Sequence, residues 1–261
     1  GVRTTTPKRY SVRSAADVFA EDNFNVQSRT AGEGGQISVQ ADTTILDGTV
    51  RGEPLPEFEG GKFAVSGTRS AVVRFAESVP ENLDSFDAIR RFLDSDEARQ
   101  ELVGKANVRA EGVSARGLNE IQIGTLDAAN PTETVLVESN AELITPRITL
   151  AGSRSLTLES GSAIRAQGEN GTATLRSPDI TLKPDALVRA SDAVELETNV
   201  NPGVAPRLSI QGRIEAENSH LSLTADRIVV VPDDFEAPDP DPASDVLYLS
   251  ESLQGFFGFD Q

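Results

Sequence analysis

No cysteine occurs anywhere in the chain, and methionine and tryptophan are absent as well. Without thiols there can be no disulfide, thiolate zinc site, iron–sulfur ligation or thiol catalysis. Histidine occurs once, at His220, so a zinc site would have to be built from carboxylates with at most one imidazole. A GxSxG nucleophile elbow is missing, and Gly32, Gly34 and Gly35 precede a strand-like run with no Lys-Ser or Lys-Thr after them, so they read as turn glycines. Aromatic residues make up only 5% of the sequence, which suits a thin aliphatic core better than a compact enzyme. Long apolar runs are lacking too, so no membrane span or stable membrane insertion is supported. There is no signal-peptide pattern and no initiator Met, and Gly1 reads as a processing boundary.

Positive charge is also scarce: the net charge is −17 and the pI about 4.5, which excludes a phosphate-backbone binder and hence a nucleic-acid partner. Acidity concentrates at the end of the chain, where residues 231–261 contain eight acids and no Lys or Arg.

What the chain has in abundance is short alternating apolar segments. RITL (147–150), SLTL (155–158), TATL (172–175), DITL (179–182), ALVR (186–189), AVEL (193–196), RLSI (207–210) and HLSL (220–223) follow one another with centres about 8 residues apart. A strand of three or four residues buries too little to stand alone, so stacking on copies of itself is the natural solution. Three spacings make about 24 residues, the size of one coil of a three-sided parallel β-helix. The expected fold is therefore all-β, a solenoid with a short helical insert.

Four regions follow from this reading. Residues 1–80 hold N-terminal strands and the first coils, with a basic stretch at 1–13, strands within 15–29, and Ile37, Val39, Ile45 and Val50 as inward positions. Residues 81–104 form a helical insert covering the solenoid, because Leu83, Phe86, Ile89, Phe92, Leu93 and Leu102 recur at helical spacing. Asp84 or Ser85 caps its start, Gly104 stops it, and the face made by Phe86, Ile89 and Leu93 lies against the coils. Residues 105–231 are the main β-helix, with loops expected to protrude at 166–172 and 199–206. Residues 232–261 are an acidic Pro-rich tail ending in VLYLSESLQGFFGF (246–259), which caps the last coil, docks on a neighbour or continues into a further domain.

Candidate chemistry is sparse. His220 reads as a structural or exposed residue. Asp42 and Asp47 flank one strand, and Asp84, Asp87, Asp94 and Asp96 decorate the helices. Asp179, Asp185 and Asp192 could stack along a groove, although turn positions want Asp for the same local reasons. No catalytic, cofactor-binding or metal residue is assigned, and no cofactor is expected. Arg147, Arg154, Arg165, Arg176, Arg189, Arg207, Arg213 and Arg227 recur at strand edges and are expected to bridge acids on neighbouring coils.

GSRSLTLESGSAIRAQG (152–168), GGQISVQADTTILDGT (34–49), RITLAG (147–152) and LSLTADRIVV (221–230) resemble the repeat regions of filamentous haemagglutinin-like large exoproteins, the two-partner-secretion adhesins of Gram-negative bacteria. GGKFAVSGTRSAVV (60–73) with VRAEGVSARGLNEIQIG (108–124) resembles the C-terminal part of very large members. The resemblance implies a right-handed parallel β-helix and an internal or C-terminal portion of a secreted or cell-surface protein. It further implies an outer-membrane export partner, and a non-enzymatic role in adhesion or cell contact with a protein or polysaccharide. A polysaccharide-acting β-helix enzyme (lyase or glycoside hydrolase) and a component of a surface assembly docking through residues 246–261 stay open as alternatives.

Overall fold

A computed structural model describes residues 34–54, 58–67, 69–78, 85–201, 206–216, 220–224, 227–231 and 246–250. The chain divides into two units, Gly1–Gly32 and Glu33–Gln261, and every described residue belongs to the second. The basic stretch at 1–13, the strands expected within 15–29, the acidic segment 232–245 and residues 251–261 lie outside the described residues.

The chain begins with β1 (Gln36–Gln40), β2 (Thr44–Leu46), β3 (Gly61–Ser66) and β4 (Ser70–Arg74). Helices α1 (Phe86–Leu93) and α2 (Asp96–Glu101) follow, then β5 (Lys105–Arg109), the one-turn α3 (Ala110–Val113) and β6 (Leu118–Gly124). Next come β7 (Thr134–Val137), β8 (Glu142–Thr145), β9 (Arg147–Ala151), β10 (Ser155–Leu158), β11 (Ala163–Ala166) and β12 (Thr172–Arg176). The last run is β13 (Asp179–Leu182), β14 (Leu187–Ala190), β15 (Ala193–Glu197), β16 (Arg207–Ile210), β17 (Arg213–Ala216), β18 (His220–Thr224), β19 (Arg227–Val231) and β20 (Val246–Ser250).

Eighteen of these strands form three parallel sheets, and β19 and β20 pair separately. Sheet A runs β1-β3-β6-β9-β12-β15-β18, sheet B runs β16-β13-β10-β7-β4-β5-β2, and sheet C runs β17-β14-β11-β8. From β9 onward the chain visits A, B and C in turn, so each circuit lays one strand on every sheet. In sheet B, Thr134, Ser155, Asp179 and Arg207 are aligned at steps of 21, 24 and 28 residues. The longest step contains the 199–206 loop. Between sheets B and C three circuits make the same turn: Ala141 N donates to Glu138 O, Ser162 N to Glu159 O and Ala186 N to Lys183 O. The third residue of these turns is Asn140, Gly161 or Asp185, all left-handed at φ 64°, 76° and 63°. Those are the residue types that tolerate that conformation, which explains why an Asp stands at 185.

Every other side chain of a strand points inward. Ile148, Leu150, Leu156, Leu158, Ile164, Leu175, Ile180 and Leu182 are fully buried in one continuous core, with Phe63 its single aromatic among the described residues. At the N-terminal end the inward phase differs from expectation. Thr44 and Leu46 pair with Ala106 and Val108 of the core, so Ile45 faces out opposite Asn107, and Leu46 with Val50 packs inward instead. Ile37 is aligned with buried Phe63 yet is 48% exposed, being on the outermost strand of sheet A.

The largest departure from a simple repeat is β5. It returns from the helical segment to sit between β2 and β4 in sheet B, pairing in parallel with both. The strand rhythm read over 105–115 also stops at Arg109, because α3 takes the place of a strand below β8. Ser114 Oγ donates to Glu142 O (2.8 Å) and Ala115 N to Ile144 O (2.8 Å), while Val50 N reaches Gly112 O.

Ser85, one of the two expected caps, accepts from Ala88 N (3.2 Å), and Ser95 caps α2 in the same way. In α1, Ile89 and Leu93 are half-buried and the Phe86 side chain lies outside the described ones; among the described side chains of the segment, Ala98 and Leu102 are fully buried. At the other end of the stack, β20 pairs in parallel with β19, with Arg227 aligned to Val246, and lies close to β16.

Candidate functional site

The outer face of sheet B gathers the features that depart from plain repetition. Three rows run across it, set by the register of its strands. One row carries Ser70, Thr134, Ser155, Asp179 and Arg207; the next carries Asn107, Val72, Leu136, Thr157, Thr181 and Ser209. In the third row Arg109 and Arg74 are followed by Glu138, Glu159 and Lys183, each one position past a strand's last inward residue.

At the β5 end of this face, Val72 and Asn107 point outward but are buried. Ala98 and Leu102 are buried too without belonging to the main core, and the end of α2 lies against this part of the face. Polar contacts hold it there. Asn107 Oδ1 accepts from Arg74 Nε (2.9 Å), and its Nδ2 donates to the carbonyls of Thr44 (3.2 Å), Leu102 (3.1 Å) and Lys105 (3.2 Å). Arg74 also donates to Glu101 O (2.8 Å) and bridges Glu138 (2.9 Å). One amide therefore joins β2, β5 and the end of α2, and an arginine carries the connection on to β7. Each donor and acceptor of the buried amide is met, which is the condition for a buried polar group to be tolerated.

Beside this knot lies an open depression of about 420 Å3 lined by Phe75, Ala76, Leu136, Glu138, Ser139 and Glu159. Phe75 is 60% exposed, a conspicuous apolar surface in a chain so poor in aromatics. Glu159 is held by Lys183 (2.8 Å) on its far side. The depression offers an apolar floor with two carboxylates on its rim, a surface for contact.

At the opposite edge of the face, Asn201 Nδ2 donates to Ser153 O (2.9 Å) and ties the start of the 199–206 loop to the turn before β10. The 166–172 loop is likewise fastened to the next circuit, as Ser191 Oγ donates to Gly168 O (2.6 Å) and accepts from Gly171 N (3.1 Å). Half-burial holds the Asp179 carboxyl above the usual aspartate range, with Arg207 and the Thr181 hydroxyl pulling the other way. Because the folded chain binds that proton more tightly than the unfolded one, the site costs stability once pH rises through its folded pKa. Asp179→Asn is expected to leave stability equal or higher at pH 7, with that advantage shrinking as pH falls towards 4; urea midpoints at both values measure it. A variant clearly weaker at pH 7 would mean that the pairing with Arg207 outweighs burial.

The other sequence candidates are not brought together. Asp179 sits on sheet B, Asp185 in the turn from B to C and Asp192 in the turn from C to A, so they line no common groove. Asp47 accepts from Ser78 N (2.9 and 3.0 Å), and Asp87, Asp94 and Asp96 are exposed on the helices. His220 begins β18, and Asp84 lies outside the described residues. Among the described residues no group of three or more His, Asp or Glu is arranged to hold a metal. Five of the recurring arginines bridge acids on neighbouring coils as expected: Arg147 to Glu59 and Glu120, Arg154 to Glu133, Arg165 to Glu142, Arg176 to Glu197 and Arg189 to Glu215; Arg213 instead reaches Glu215 on its own strand, and the Arg227 side chain lies outside the described residues. Sequence reasoning missed Asn107, Arg74 and Leu136; for Phe75, the only signal was an aromatic at a strand end before a helical insert.

Compared with known protein families, curated proteins and solved structures, the chain matches none.

Proposed function

We propose that the three parallel sheets wind as a right-handed, three-sided β-helix and that the protein is a structural segment of a secreted or cell-surface fibrous exoprotein of a Gram-negative bacterium. On this reading it acts without catalysis, holding surface features at fixed spacing for adhesion or cell contact. An outer-membrane partner exports it, and a protein or polysaccharide at a cell surface is its target. The observation that carries the reading is the repeated alignment of one strand per sheet per circuit from β9 to β17. That construction extends along one axis by nearest-neighbour stacking and presents its outer side chains as straight rows. The open depression at Phe75 and Leu136 supplies an apolar contact point on such a surface.

Antibodies raised against the chain are expected to decorate intact cells of the source organism, and external protease is expected to remove the signal without lysis. Labelling that appears only after cells are broken would overturn the surface assignment. An experimentally phased map tracing a left-handed winding would overturn the helical one.

A further inference from the structure

Sheets B and C carry complementary charge rows of the same pitch. Along the outer face of sheet B, Glu138, Glu159 and Lys183 are aligned, or minus, minus, plus; Arg74, which pairs with Glu138, continues the row but is largely buried, with Arg109 aligned beside it. Along sheet C, Arg165, Arg189 and Glu215 are aligned, or plus, plus, minus; Glu142, which pairs with Arg165, stands two positions before Ile144, the residue aligned with that arginine. Each trio takes one residue from each of three successive strands. Parallel strands are spaced about 4.8 Å apart, so both trios span about 10 Å. In each, the last charge pairs with its neighbour, while the first two charges are alike and aligned side by side. Like charges directly across a strand pair repel, and the pairs here remain partly solvent-exposed: 31% and 29% for Glu138 and Glu159, 29% and 40% for Arg165 and Arg189.

We infer that sheet B of one copy of this chain docks on sheet C of a second copy, the two trios facing each other in register. Each charge of a trio then meets its opposite, and the repulsion inside each like-charged pair is relieved by the facing pair. Phe75 and Leu136 beside the sheet B trio and half-buried Ile144 beside the sheet C trio supply apolar area to the same contact. Because the two faces differ, the contact is heterologous and leaves a free sheet B on one copy and a free sheet C on the other, so association is open-ended. The inference needs only the two charge rows and is independent of where the protein is displayed.

Sedimentation of the full 261-residue chain over a concentration series tests it. Wild type is expected to associate in about 0.02 M salt and to dissociate in about 0.5 M, where screening is complete within a few ångströms. The double variants Arg165→Glu with Arg189→Glu, and Glu138→Arg with Glu159→Arg, are each expected to need about tenfold more protein to associate. Mixed together they are expected to associate again as alternating chains, since the reversed faces complement each other and so do the unchanged ones. Arg165→Gln with Arg189→Gln removes the charge without creating new repulsion and covers the case in which a reversal unfolds the chain; thermal melts report the fold of each. A wild type that stays monomeric at low salt, association insensitive to salt, or a mixture that fails to pair while both variants are folded would each overturn the inference.

Discussion

Asn107→Ala is expected to lower unfolding stability by about 3–5 kcal/mol, read as a reduced urea midpoint. The figure exceeds that of a single lost hydrogen bond because the amide makes four contacts and one of them is to a cation. A lost bond that leaves a buried partner unmet costs about 1–3 kcal/mol, and removing the partner of a largely buried charge about 3–5 kcal/mol. Arg74 has only 13% of its side chain exposed, so its Nε cannot recover a full water shell. Asn107→Asp separates the two halves of the knot: it keeps an oxygen for Arg74 but sets a carboxylate against the carbonyls of Thr44, Leu102 and Lys105. It too should be strongly destabilised. If Asn107→Ala shifts stability by less than about 1 kcal/mol, the amide is not what holds β5 between β2 and β4.

The second large effect is expected deep in the stack. Leu175 is fully buried in β12, aligned with Leu150 of β9 on one side and Leu196 of β15 on the other. Leu175→Ala opens a cavity between two circuits that are each held by their own backbone ladders and cannot collapse onto it. A loss of about 3–5 kcal/mol is expected, the upper part of the range for buried leucines. Stability in such arrays is a sum over neighbouring units, so amide exchange should quicken in β9, β12 and β15 before it does near β4. A cost below about 1 kcal/mol, outside the usual range for a buried leucine, would show that the column is loosely packed.

The strands, their short length and their pitch were legible because alternation and turn chemistry recur. SLTL and DITL place Leu156, Leu158, Ile180 and Leu182 in the core, and Asn140, Gly161 and Asp185 occupy one left-handed turn position. The arginine–acid bridging was also readable, since Arg recurs at strand edges in a chain rich in acids. The position of β5 was not, because KANVR has the same composition as any other strand and nothing local names its neighbours. For the same reason the phase of β2 was misjudged at Ile45: a three-residue strand carries too little alternation to fix which side is in. Asn107, an isolated amide in a strand, gave no hint of carbonyls contributed by residues 63 positions earlier. The charge trios required register as well as sequence, because they align only once residues 21 to 26 apart are placed side by side.

The place of β5 has a consequence for how the chain can be threaded. A polypeptide is made from its N-terminus, so β4 emerges about thirty residues before the strand that must lie beneath it. A stack assembled one circuit at a time would seat β4 directly on β2 and close the slot. The slot must therefore stay open, or be vacated again, until Arg109 has left the ribosome. The N-terminal circuits consequently cannot settle strand by strand as they emerge, whereas the circuits from β9 onward, which owe nothing to β5, can be laid down one after another.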